Sequence, residues 1–73
     1  MNIIKNVEMN EAQKAKAFEV LGGYISGEQV SEITVDLHDE INGQVILTTE
    51  LNNSQTLQTI IGSRGKVIAH DFN

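Results

Sequence analysis

The sequence predicts an α+β domain: one N-terminal helix packed on a small antiparallel sheet, with four strands in two hairpins. Three observations predict it. A capped stretch with apolar residues at helical spacing begins at Asn10. Segment 31–51 alternates apolar and polar residues around Asn42-Gly43, and segment 56–72, rich in β-branched residues and apolar on both faces, repeats a similar turn at Arg64-Gly65. The 73 residues contain no proline and no low-complexity stretch, so residues 1–73 read as a single domain.

The elements follow in order. The opening "NIIKNV" reads as a short strand or an ordered arm. "MNEAQKAKAFEVLGG" then reads as a helix. Asn10 is its N-cap, Gln13 stands at the capping-box position, and Glu11 suits the positive end of the helix dipole. Ala12, Ala15, Phe18 and Leu21 are expected on the buried stripe, with Gly22-Gly23 ending the helix.

In "SEITVDLHDEINGQVILTTEL", Ile33, Val35 and Leu37 alternate with polar residues, and Val45, Leu47, Thr49 and Leu51 continue the pattern after the turn. A two-residue Asn-Gly loop would put the two apolar rows on opposite faces, which one buried face does not permit. A three-residue loop, with Gly43 left-handed, instead pairs Leu37 with Leu47, Val35 with Thr49 and Ile33 with Leu51. On the outer face, His38 then meets Ile46, Asp36 meets Thr48, Thr34 meets Glu50 and Glu32 meets Asn52. The carboxylates of Glu32, Glu50 and Asp36 are expected as a zigzag row, one per side-chain step of about 6–7 Å. That spacing resembles the phosphates of a nucleic-acid strand.

The last third has two readings. In one, "TLQTII" and "KVIAHDF" are strands joined at Ser63-Arg64-Gly65, pairing Ile61 with Val67 and Ile60 with Ile68. In the other, Ser54 caps a short helix that ends at Gly62. The second matters because "IGSRGKVI", Ile61 to Ile68, resembles the I-G-x-x-G-x-x-I core of KH domains, whose Gly-x-x-Gly loop clamps four backbone nucleotides. The resemblance implies a nucleic-acid loop at Gly62, Ser63, Arg64, Gly65 and Lys66. A KH groove also needs a full helix and a strand after the loop, whereas eight residues follow Gly65, barely two helical turns. The turn is therefore the leading reading and the RNA-associated module the alternative. Four β-branched residues among the eight from Ser54 to Ile61 favour strand as well.

Charge carries most of the functional expectation. Five Lys and Arg stand against ten Asp and Glu, a formal net charge of −5. No Lys or Arg lies between Lys16 and Arg64, while seven acids do. Nucleic-acid binders take much of their affinity from basic surfaces that release phosphate counterions, and this chain has the opposite balance. "GSRGK" does not fit a phosphate loop, which needs four residues between its glycines. The two His-Asp pairs, His38-Asp39 and His70-Asp71, offer no third metal ligand, so no metal or cofactor is expected. There is no cysteine, no serine stands in a nucleophile motif, and Asp39 and Glu40 sit at a hairpin tip; an enzyme is not expected.

The expectation is a small acidic binding protein of the cytoplasm. It would dock on the basic surface of a partner protein through Glu32, Asp36 and Glu50, with Asp39 and Glu40 nearby. By analogy of size and charge it would be an inhibitor or nucleic-acid mimic of the kind found in phages and mobile elements. The competing expectation is a plain oligomeric accessory subunit. Ile46, Ile60 and Ile68 are its candidate oligomer patch, unless the N-terminal arm covers them.

Overall fold

A computed structural model describes residues 1–73. The order is β1 (Asn2–Lys5), α1 (Glu11–Ser26), β2 (Val30–Asp39), β3 (Gln44–Leu51), β4 (Thr56–Ile61) and β5 (Val67–Phe72). The α+β class holds, with corrections. The sheet has five strands in the order β1-β2-β3-β4-β5, and it is mixed: β1 runs parallel to β2, and the other pairs are antiparallel. The segment read as strand or arm is this edge strand. It precedes the helix and lies at the sheet edge opposite β5, so it does not cover Ile60 or Ile68.

Helix α1 is fastened at its N-terminal end, and the loop that follows it is held to the start of the β3–β4 turn. Asn10 Oδ1 accepts from Gln13 N at 2.8 Å and Gln13 Oε1 accepts from Asn10 N at 3.0 Å, which is the predicted capping box. Gln13 is itself buried, 3 % exposed. Its Nε2 donates to Gly43 O at 2.8 Å and to Ile61 O at 3.4 Å. Asn10 Nδ2 donates to Ser63 O at 2.7 Å. In the loop after the helix, Asn52 N donates to Gln29 O and Asn52 Nδ2 to Glu28 O, both at 2.8 Å.

These tethers turn the helix away from the expected stripe. Gln13, Ala17 and Leu21 are its buried residues, with Val20, Tyr24 and Ile25 partly buried. Ala12, Ala15 and Phe18 are exposed, Phe18 by 74 %. Gly22-Gly23 does not end the helix, because Tyr24 and Ile25 gain burial by continuing it to Ser26. The core beneath comprises Val35, Leu47, Leu57 and Ile61, each at most 2 % exposed, joined by Leu21 from the helix. Each such side chain contributes about 1.5–3 kcal/mol of transfer free energy.

The first hairpin keeps its predicted faces but not its register. Val35 pairs with Leu47, Ile33 with Thr49 and Leu37 with Val45, two residues from expectation. The cause is the turn. Asn42 N and Nδ2 donate to the two carboxylate oxygens of Asp39, at 3.2 and 2.8 Å. This closes a four-residue loop, Glu40 to Gly43, and a bulge at His38 takes up the odd residue. Gly43 is left-handed as predicted, at φ +66°.

In the second hairpin the strand reading holds. Ser54 lies in a turn at φ +72° instead of capping a helix, and β4 runs to Ile61. Ile61 pairs with Val67 as expected, but a bulge at Ile68 pairs Ile60 with Ala69. Beyond the bulge, His70 lies opposite Thr59 on the helix side, and Asp71 lies opposite Gln58 on the outer side. No helix is long and apolar enough to cross a membrane.

Candidate protein-docking face

The helix covers one face of the sheet and nothing covers the other. Alternation along the strands assigns that outer face, and the registers align it in three rows. The first is Asn2, Glu32, Glu50 and Thr56; the second is Ile4, Thr34, Thr48, Gln58 and Asp71; the third is Asp36, Ile46, Ile60 and Ala69. The face therefore carries four carboxylates, a belt of hydroxyl and amide groups and one apolar strip. None of the five Lys and Arg lies in these rows.

The corrected register rearranges the acids. Glu32 stands directly opposite Glu50 on the neighbouring strand. Asp36 lies two side-chain steps further along β2, about 13 Å away, with Thr34 and Thr48 between. The evenly stepped row expected from the sequence is thus replaced by a facing pair and a separate third acid. Opposed like charges at this separation destabilise a sheet. The chain offers them no cation: its ion pairs, Lys14–Glu11 at 3.5 Å and Lys16–Glu19 at 2.7 Å, both lie on the helix.

Two asparagines from the edge strand side orient the β2 carboxylates. Asn2 Nδ2 donates to Glu32 Oε1 at 3.2 Å, and Asn6 Nδ2 donates to Asp36 Oδ1 at 2.6 Å. Each amide occupies one carboxylate oxygen. Neutral amides hold the acids in place while leaving their charge uncompensated.

The remaining predicted positions divide. Asp39 and Glu40 sit at the hairpin tip, away from the facing pair. The hydrogen bonds from Asn42, side chain first and then backbone, hold the Asp39 carboxyl below its ordinary value of 3.8. Ile46 and Ile60 are neighbours on the outer face, half-buried, but Ile68 is separated from them by the β5 bulge and lies against Gly62. No three His, Asp or Glu side chains come together as a metal-binding group.

The Gly62–Lys66 loop joins two strands, where a KH loop joins two helices. Gly65 N donates to Gly62 O at 2.9 Å and Gly62 N to Lys66 O at 2.8 Å, so both amides are spent within the turn. Gly65 is buried at φ +83°, and a Cβ there would lie 2.9 Å from Ala12 O. This glycine lets the turn seat against the start of the helix. Arg64 and Lys66 remain exposed beside it.

Sequence reasoning missed Asp71, Asn2 and Asn6. Asp71 had a detectable signal. Without a bulge it would stand opposite Leu57, in the core, which a carboxylate resists. The asparagines had none, because their role depends on the parallel pairing of a four-residue strand. No protein-family model, curated protein or solved structure matches this chain.

Proposed function

We propose that this chain is a non-catalytic binding protein that docks its outer sheet face on the basic surface of another protein. The observation that carries the reading is the facing pair Glu32 and Glu50, uncompensated by any cation on a face that also holds Asp36 and Asp71. A partner arginine seated between two such carboxylates relieves their repulsion and gains charge-assisted hydrogen bonds to both. Asn2 and Asn6 lower the ordering cost of that contact by restraining Glu32 and Asp36 beforehand. The hydroxyl and amide belt lies next to the acid pair and offers polar contacts, and the Ile46–Ile60 strip beyond it adds apolar contact along one margin. Where the partner's basic surface serves nucleic acid, docking makes this protein a competitive inhibitor. Its mimicry then rests on charge, since its acids are not evenly stepped.

The test is capture from lysate with the wild type and with the Glu32→Lys, Asp36→Lys, Glu50→Lys triple variant, at low and moderate salt. Basic protein ligands that are retained by the wild type, released by salt and lost with the triple variant are the expected result. Identical protein profiles for both baits, or RNA whose retention depends on Arg64 and Lys66, would overturn the proposal.

A further inference from the structure

The opposite side of the molecule carries a second surface, independent of the acidic face. Because Gln13 and Asn10 tie the helix to Gly43, Ile61 and Ser63, its backbone lies closest to β4. Beside β1 the helix leaves the inner face incompletely filled, although Ile33 and Val35 beneath it remain buried. An apolar groove of about 220 Å³ opens there, between the helix and the β1 edge. Ile33, Val35, Ala17 and Leu21 line it, and Ile3 and Phe18 stand at its margin, 50 % and 74 % exposed. It is a groove open to solvent, smaller than the roughly 300–1,000 Å³ of small-molecule sites.

Its rim decides what fits it. Lys5, Glu8 and Lys14 border the groove, and Glu11 pairs with Lys14 at 3.5 Å. Both signs therefore border an apolar centre, in contrast to the outer face, which has acids alone. A mixed rim is poorly suited to a carboxylate-headed lipid, because Glu8 opposes it. A rim of both signs can pair with itself, because a two-fold axis can set the lysines of one copy against the glutamates of the other.

We propose that this groove is a homodimer surface, with Phe18 of each copy seated in the groove of its mate. An exposed aromatic beside an apolar recess is the residue type that dominates such interfaces, burying roughly 150–250 Å². Dimerisation on this side leaves both acidic sheet faces outward and free.

Sedimentation equilibrium on the full chain tests it. The wild type is expected to dimerise reversibly, and Phe18→Glu to weaken the dimer at least about tenfold, or 1.4 kcal/mol. Because Phe18 is largely exposed, that variant retains the wild-type circular dichroism. Thr48→Lys, on the outer face, leaves the dimer intact. Rim complementarity has its own readout. The Lys5→Glu/Lys14→Glu and Glu8→Lys/Glu11→Lys variants each stay monomeric alone and form a heterodimer when mixed. A wild type still monomeric near about 1 mM, a dimer indifferent to Phe18→Glu, or one abolished by Thr48→Lys would overturn the proposal.

Discussion

Replacing Gln13 by alanine removes three side-chain hydrogen bonds at a buried position. They are the capping-box bond from Asn10 N at 3.0 Å and the donations to Gly43 O at 2.8 Å and Ile61 O at 3.4 Å. At about 1 kcal/mol net each, with the longest at the weak end, the expected loss is about 2–3 kcal/mol. The better helix propensity of alanine returns a few tenths. A domain of this size has a total stability of about 4–11 kcal/mol, so the loss is a large share. Urea unfolding followed by circular dichroism at 222 nm measures it. Gln13→Glu separates the contributions. Glutamate preserves the capping-box acceptor but cannot donate, and it sets a carboxylate against two carbonyl oxygens. If the tether to the two turns matters, Gln13→Glu is at least as damaging as Gln13→Ala. A glutamate variant as stable as the wild type, or an alanine variant within 0.5 kcal/mol of it, would refute the claim that Gln13 fastens the helix to the sheet.

Four further outcomes follow from individual residues. Thr49 is fully buried and its hydroxyl has no hydrogen-bond partner, so Thr49→Val should stabilise the fold by about 1–2 kcal/mol in the same urea assay. Gly65→Ala should cost at least about 2 kcal/mol in thermal or urea melts, from the left-handed backbone plus the clash with Ala12 O. Gly23→Ala meets nothing within 4 Å in a helix interior and should gain about 0.5–1 kcal/mol. Asp39 titrates below 3.8, so its folded-state preference for charge stabilises the hairpin above that pH and fades as pH falls through the lowered value. Asn42→Ala should move the Asp39 titration midpoint upward in a carboxyl NMR titration.

The parts of the fold legible in the sequence were those set by local chemistry. Asn10 and Gln13 form a cap from their own side chains, so the start of the helix could be read directly. The face assignment of β2 and β3 was legible because an even register shift preserves alternation. What escaped depended on distant partners. The buried stripe was misplaced because Gln13, a polar residue, occupies an inward position secured by carbonyls 30 and 48 residues away. Both hairpin registers shifted through bulges, at His38 and Ile68, which leave no compositional mark. The candidate site was affected in the same way. Glu32, Asp36 and Glu50 were correctly assigned to one face, but their spacing followed from register, and Asp71 joined them only through the second bulge.

The two proposed surfaces are back to back. The acidic face depends on the sheet alone, and the groove on where the helix is tethered. Gln13→Leu, which frees the helix to slide toward β1, should therefore weaken self-association while leaving the outer face unchanged.

The most direct measurement is a two-dimensional amide NMR titration of the protein with a short arginine-rich peptide. The account predicts salt-sensitive shift changes concentrated on the outer positions of β2 and β3, around Glu32, Thr34, Thr48 and Glu50. The triple lysine variant should lose them. Changes spread evenly over the helix acids Glu11 and Glu19 and the exposed Glu28, with none favouring β2 and β3, would contradict it.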